Sequence, residues 1–188
     1  HAERLGLELI LDGEAANPAA RALNYAEVAL VDGRLRVRDR ISGLSRGVSA
    51  DIVVNAGGAW IDKVNAALGI PSRHMGGNKG SHLVVRNRRL HDALRGRMVY
   101  FGSADGRVNL LYPFMGNVLI GSTDIPEPDP DAARCSEAEM GYMAAVISEV
   151  FPDIAVTPDQ IALTWCGVRP LPRSEGLAPG EGSRDHSI

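Results

Sequence analysis

One short segment of the sequence places a lysine and a histidine, which can handle charge and protons, among several glycines. Three glycines surround Lys79, and His82 follows in a run of apolar residues. A glycine-rich loop with a lysine can cradle a phosphate, but the Walker pattern requires a Ser or Thr after the lysine and then a helix. Here a glycine follows, and the sequence predicts a loop over 71–80 and a strand over 81–85. The Walker motif is therefore excluded. For His82, the ordinary alternative to a chemical role is that a lone strand histidine packs in a core or at its rim.

Two arginines towards the end of the chain could bind an anion. Arg169 directly follows the apolar run 161–168 and precedes a proline, and Arg184 opens the last segment. A guanidinium is planar and donates two parallel hydrogen bonds to a carboxylate or a phosphate. From residue type alone, either arginine would more often lie at the surface or in an ion pair.

These side chains need elements that position them, and the clearest of these is centred on the segment Ala-Gly-Gly-Ala at 56–59. The preceding run Ile-Val-Val at 52–54 has no polar alternation, which predicts a strand covered on both faces in a parallel sheet. Ala56 and Gly57 are small, so the backbone of a turn there can lie close to a flat ligand. Apolar residues then recur at helical spacing over 60–68. The segment predicts a strand-turn-helix unit, which on pattern alone needs no ligand.

The rest of the chain predicts antiparallel strands and a few helices. A capping box formed by Ser136 and Glu139 starts a helix that ends before Pro152. An Asp-Gly turn joins the strands of the first hairpin, the second of which alternates between apolar residues and arginine. The other expected elements are a helix over 2–16, hairpins over 22–38 and 98–112, and strands over 118–123 and 161–168. Together these patterns predict a fold of the α+β class.

Composition excludes several classes of protein. The net charge of −3 gives no electrostatic reason to expect nucleic acid as a partner. Cys135 and Cys166 are too few and too far apart for a disulfide framework or a metal site, so no metal is expected and a reducing compartment is the default. No apolar run approaches the ~20 residues that a membrane-spanning helix needs. The composition is that of a globular protein.

Four segments, at 52–60, 79–85, 121–124 and 165–171 (with 183–185), resemble in their order and spacing the FAD-dependent glycerol-3-phosphate dehydrogenases of the D-amino-acid-oxidase-like flavoprotein group. The sequence departs from this family at Gly58-Ala59, where the family usually has a glycine followed by a proline. It also lacks the G-x-G-x-x-G fingerprint that binds the FAD diphosphate in the family. The chain is therefore expected to be the middle of such an enzyme.

The resemblance implies a mixed α+β fold. One part would belong to a Rossmann-like FAD-binding domain, and the other would be a mainly antiparallel substrate domain with flanking helices. The implied boundaries are 1–66 for the partial FAD-binding domain, 67–172 for the substrate-binding domain, and 173–188 for a loop that leads into the last strand of the FAD-binding domain.

The resemblance also implies which residues form the site. His82 would accept a proton or a hydrogen bond from the substrate, and Arg169 and Arg184 would hold the substrate phosphate. The residues implied to contact FAD are Val28, Ala56, Gly57 and Thr123. The implied reaction is hydride transfer from sn-glycerol 3-phosphate to FAD, which yields dihydroxyacetone phosphate.

The resemblance implies a quinone as electron acceptor and a cytoplasmic location. It is compatible with peripheral contact to the inner face of the cytoplasmic membrane and with a homodimer. Three alternatives stay open: oxygen as the acceptor, an amine or amino-acid oxidase of the same flavoprotein group, and an α+β binding domain without redox activity. The two arginines and the segment around Lys79 favour a phosphate over the carboxylate of an amino-acid substrate.

Overall fold

The computed structural model describes residues 2–173. Tertiary contacts divide the chain into two units. The first unit contains the residues before 55 together with Val64–Pro71, and the second contains Asn55–Lys63 and the residues from 72 onwards. The domain boundaries expected at 66 and 172 stay predictions.

The first unit is a helix and a three-stranded antiparallel meander. Helix α1 spans Ala2–Ala16, and the strands are β1 (Ala26–Val31), β2 (Arg34–Asp39) and β3 (Ser45–Val48), in the order β1-β2-β3. Asp32 and Gly33 join β1 to β2 with φ angles of 49° and 72°. Positive φ at both positions is what a two-residue hairpin turn requires. The helix and the hairpin are therefore confirmed.

The predicted parallel strand over 52–54 is wrong for this structure. Residues 52–57 have no regular secondary structure, and Ile52 and Val54 are 82% and 83% exposed. A strand exists only when a neighbouring backbone accepts and donates its hydrogen bonds, and none of the described strands pairs with this segment. The helical part of the prediction is confirmed, because a short 3₁₀ turn at Gly58–Trp60 leads into helix α2 (Ile61–Ala67).

The second unit is built on a six-stranded antiparallel sheet. Its strands are β4 (Asn78–Val85), β5 (Val99–Gly102), β6 (Val108–Phe114), β7 (Asn117–Gly121), β8 (Ile125–Pro126) and β9 (Ile161–Arg169). Strand β4 lies at the centre and pairs with β9 on one side. On its other side, β8 pairs with the start of β4 and β7 pairs with its end. The loop predicted over 71–80 is therefore too long, because Asn78 and Lys79 already pair with both β8 and β9.

Three helices cover one face of this sheet. They are α3 (Arg88–Leu94), α4 (Glu137–Ala145) and α5 (Ile147–Val150). The predicted capping box of Ser136 and Glu139 begins α4, as expected. Helix α3 was not predicted, and Asn87 caps it by accepting a hydrogen bond from the Leu90 N–H. The core between these helices and the sheet consists of Leu83, Val85, Leu90, Leu94, Leu111, Val118, Ile120, Met143, Ile147 and Ile154.

Alternation along β4 separates a packed face from an open face of the sheet. Lys79, Ser81, Leu83 and Val85 are all buried on the packed face, which α4 covers. Directly opposed residues of antiparallel strands share a face. The residues of β4 that oppose Arg169, Gly167 and Trp165 are at positions 78, 80 and 82. His82, Trp165 and Arg169 therefore lie together on the open face. The predicted α+β fold with antiparallel sheets is confirmed.

Candidate active site

His82 lies on the open face against two neighbours that fix its ring. Its imidazole stacks on the indole of Trp165, with 5.4 Å between ring centroids and 16° between planes. On the other side lies Gly121, where a Cβ atom would come within 2.7 Å of His82 Nε2. Only glycine leaves room for the ring, because real Cβ contacts are longer than this.

The surroundings of His82 favour the neutral form of its ring. Burial lowers the pKa of the imidazole, and the positive charge of Arg169 lowers it further. His82 Nδ1 is buried, and no atom of residues 2–173 forms a hydrogen bond with it. The neutral form of an imidazole can accept a proton from a substrate hydroxyl.

Arg169 ends β9, and its guanidinium is held by the segment that follows β7. Its Nη1 donates to Asp124 Oδ1 at 3.1 Å, and its Nη2 donates to Ser122 Oγ at 3.0 Å and to the Thr123 carbonyl at 3.1 Å. The guanidinium lies over Gly80, where a Cβ atom would be 2.6 Å from Arg169 Cζ. Three of the five N–H donors of a guanidinium are thus used by described residues. The remaining donors can bind an anion.

Thr123 turns its hydroxyl towards the packed face. The residue is 1% exposed. Its Oγ1 accepts from the Ser81 N–H at 2.9 Å and donates to Glu139 Oε1 at 2.7 Å. The structure therefore uses this hydroxyl inside the protein, while the carbonyl of the same residue binds Arg169. A contact between Thr123 and FAD stays a prediction.

Lys79 is a buried partner of Glu139. The sequence placed it in a glycine-rich loop that favoured a phosphate, but in the structure its side chain does not point at a ligand. Its Nζ lies 2.9 Å from Glu139 Oε2 and 2.6 Å from the carbonyl of Arg134. The side chains of Lys79 and Glu139 are 9% and 1% exposed. Lys79 is therefore a structural counter-ion, and it does not add to the phosphate-binding capacity of the site. The capping box was the only sequence signal for Glu139, and nothing local to Lys79 indicated this pair.

The turn that contains Ala56 and Gly57 is held by Asn55. Asn55 Oδ1 accepts from the Gly57 N–H at 2.9 Å, and Asn55 Nδ2 donates to the carbonyl of Ile61 at 2.9 Å. Ala56 is exposed and Gly57 is half-buried. The turn therefore has a fixed backbone and almost no side-chain bulk, which is the condition for close approach of a flat ring.

Val28 and Arg184 are the two remaining predicted site residues. Val28 lies in the middle of β1 in the first unit, opposite Val37, and is 43% exposed. Arg184 lies outside the described residues. Of the predicted catalytic residues, the structure brings His82 and Arg169 together on one face.

Metal and membrane features are absent from the described part of the chain. Within residues 2–173, no group of three or more His, Cys, Asp or Glu side chains could hold a metal ion. In the same range, no helix combines the length and the apolar character that crossing a membrane requires.

Comparison with known proteins gives one consistent family. A family model described as FAD dependent oxidoreductase matches residues 9–185. All of the chain aligns at 31% identity with 36% of the glycerol-3-phosphate dehydrogenase of Synechocystis sp.. In a second alignment, 98% of the chain matches 34% of the aerobic glycerol-3-phosphate dehydrogenase of Staphylococcus aureus at 29% identity. The chain thus spans about a third of the length of these relatives.

A solved structure shares the fold. It is the glycerol-3-phosphate dehydrogenase from Bacillus halodurans complexed with FAD, which matches with a TM-score of 0.71 and 32% identity over 85% of this chain and 34% of that chain. This similarity in fold and the family match across residues 9–185 confirm the resemblance seen in the four sequence segments. The chain belongs to the family of FAD-dependent oxidoreductases.

Proposed function

We propose that the complete protein is a FAD-dependent glycerol-3-phosphate dehydrogenase that oxidises sn-glycerol 3-phosphate to dihydroxyacetone phosphate. The main structural support is the pair of His82 and Arg169 on the open face, where a base and a cation serve one substrate. The names of the Synechocystis and Staphylococcus relatives and of the Bacillus structure support the same substrate.

Each residue of this pair has a separate task in the proposed reaction. His82 accepts the proton of the hydroxyl that is oxidised, because burial and the charge of Arg169 lower the pKa of its imidazole and favour the neutral form. Arg169 donates its remaining N–H groups to the phosphate, while Asp124 and Ser122 hold the guanidinium in place. Arg184 is proposed as a second phosphate ligand. FAD, when bound, supplies the hydride acceptor.

The residues present fit a flavin at one end of the cofactor only. The turn at Ala56 and Gly57 and the open face of the sheet offer small and flat surfaces to a ring system. Val28 is proposed to border the adenine end. No G-x-G-x-x-G fingerprint occurs in the 188 residues. We therefore assign the diphosphate to the portion of the relatives that this chain does not span.

The partners of the complete protein form part of the proposal. We assign a quinone as the electron acceptor and a cytoplasmic location, with peripheral contact to the membrane in which the quinone dissolves. A homodimer is the proposed assembly. Reduction of a soluble quinone analogue, compared with formation of hydrogen peroxide in air, distinguishes a quinone from oxygen as the acceptor.

The proposal is tested by anaerobic addition of sn-glycerol 3-phosphate to the complete, FAD-loaded protein. We expect the flavin absorbance to bleach with this substrate and to bleach far less with glycerol, which lacks the phosphate. An Arg169→Ala variant provides the matched control and should bleach only at much higher substrate concentration. Bleaching by an amino acid in place of glycerol 3-phosphate would assign the protein to the amine-oxidising members of the family and refute the proposal.

A further inference from the structure

A cluster of buried polar side chains lies directly behind the candidate active site, on the packed face of the sheet. Its centre is the carboxylate of Glu139, which is 1% exposed. Five donors point at this carboxylate: Lys79 Nζ, Ser81 Oγ, Thr123 Oγ1, Ser136 N–H and Ser136 Oγ, at distances of 2.7 to 2.9 Å. Of the two Ser136 groups, a capping box uses only the N–H as a donor to this carboxylate, and it uses Oγ to accept from the Glu139 N–H. The other three donors come from β4 and from the segment after β7, so the cluster does more than start a helix.

We propose that Glu139 is a positioning residue for Arg169, acting through Thr123. Glu139 Oε1 accepts the hydroxyl hydrogen of Thr123, and the carbonyl of Thr123 accepts a hydrogen bond from Arg169. The residues on either side of Thr123 provide the other two acceptors of the guanidinium. One anchored residue therefore sets the position of all three acceptors. The kinetic part of this inference rests on the proposed function.

The backbone around Thr123 explains why an anchor is needed. Strand β7 ends at Gly121 and β8 begins at Ile125, so residues 122–124 lie between two strands and outside the ladder of hydrogen bonds. Within this segment Thr123 is the buried residue, and its Oγ1 is bonded on both sides, by the Ser81 N–H and by Glu139. Hydrogen bonds to an ionised group are stronger than neutral ones. The charge of Glu139 therefore holds the segment that the strands do not.

The alternative is that the cluster stabilises the fold without affecting Arg169. Both interpretations expect a lower melting temperature when the cluster is disturbed. Only the positioning role expects a local change at Arg169 in protein that is still folded and still holds its cofactor. The test therefore needs a measurement at Arg169 itself, and one that does not depend on which substrate the enzyme uses.

The experiment uses the complete FAD-loaded protein with two variants. Thr123→Val removes the hydroxyl and keeps the ion pair between Lys79 and Glu139, and Glu139→Gln removes the charge. Thr157→Val is the matched control, because Thr157 is an exposed threonine at the N-cap of the short helical turn Pro158–Gln160 that precedes β9. The first readout is the rate at which phenylglyoxal modifies Arg169, followed by peptide mass spectrometry. The second is KM and kcat with sn-glycerol 3-phosphate.

We expect Thr123→Val and Glu139→Gln to accelerate modification of Arg169 and to raise KM by about 10-fold with kcat changed less than about 3-fold, the pattern for loss of ground-state binding. Thr157→Val should leave the modification rate unchanged, and Thr123→Ser should restore the protection of Arg169. If Glu139→Gln does not fold, Thr123→Val decides.

Two outcomes separate the positioning role from the proposed function. An unchanged rate of Arg169 modification in folded Thr123→Val protein would overturn the role assigned to Glu139, whatever the activity. If the wild-type protein fails to oxidise sn-glycerol 3-phosphate while the modification rate rises as expected, the proposed function is wrong and the positioning role stands.

Discussion

Replacing Lys79 by methionine should be strongly destabilising, because it leaves the buried carboxylate of Glu139 without its counter-ion. The side chains of Lys79 and Glu139 are 9% and 1% exposed, so water cannot replace the ammonium group. Removing one partner of a buried ion pair costs about 3–5 kcal/mol. The change also leaves the carbonyl of Arg134 without the Lys79 Nζ donor. For a domain of 150–250 residues, such a loss lowers the melting temperature by roughly 6–20 °C.

The measurement is thermal unfolding of the complete protein, followed by circular dichroism at neutral pH. Lys63→Met is the matched control, because Lys63 also forms two ion pairs, with Asp129 and Asp131, but is 48% exposed. We expect a much smaller shift for this variant, since exposed ion pairs contribute little. The double variant Lys79→Met/Glu139→Gln should regain part of the lost stability, because no unpaired charge remains buried. Equal shifts for Lys79→Met and Lys63→Met would refute the reasoning, and so would a double variant no more stable than Lys79→Met.

Three further predictions concern the site and its support. Arg169→Ala should lower kcat/KM for sn-glycerol 3-phosphate by an amount equivalent to ~2–4 kcal/mol, and Arg169→Lys should be nearly as harmful because an ammonium cannot donate as a fork. Near-normal kcat/KM in both would make Arg169 structural. Gly121→Ala should displace the imidazole of His82, so the acid limb of the pH–rate profile should move while FAD content stays the same. An unmoved limb would exclude His82 as the base. Burial alone would raise the pKa of Glu139, but its hydrogen bonds lower it from 4.5 to about 2. Its stabilising contribution is thus present above pH ~4.5 and lost as the pH falls towards ~2. Unfolding from pH 7 to 2.5 should depend more steeply on pH in that window for wild type than for Glu139→Gln; identical profiles would contradict it.

Local patterns predicted the elements whose residues interact mainly with near neighbours in the sequence. The hairpin of β1 and β2 follows from its Asp-Gly turn and its alternation, and α4 follows from its capping box. Both signals act within a few residues, so the sequence alone was sufficient. The segment at 52–54 shows the limit of this approach. An apolar β-branched run indicates a strand only if other strands are there to pair with it, and within the described residues none does.

The Lys79–Glu139 pair could not be predicted for a related reason. The two residues are 60 positions apart, and each has a complete local explanation without the other. Lys79 follows a glycine-rich stretch, and Glu139 satisfies a capping box. Their contact arises because alternation in β4 turns Lys79 to the packed face, where the first turn of α4 lies. A shift of one position in the alternation of β4 would therefore place Lys79 on the open face, away from the buried carboxylate of Glu139.

The two glycines nearest the candidate catalytic residues illustrate how tertiary context gives a residue its meaning. The sequence predicts a loop at Gly80, because glycine in a sequence most often marks a turn, and it predicts a strand at Gly121. In the structure both lie within strands, and their role is to leave space. The guanidinium of Arg169 covers Gly80, and the imidazole of His82 covers Gly121. A Cβ atom at either position would collide with the residue that carries the proposed chemistry. A glycine inside a strand therefore marks a candidate site once the register shows which side chain crosses it, and the register becomes known only when the sheet has formed.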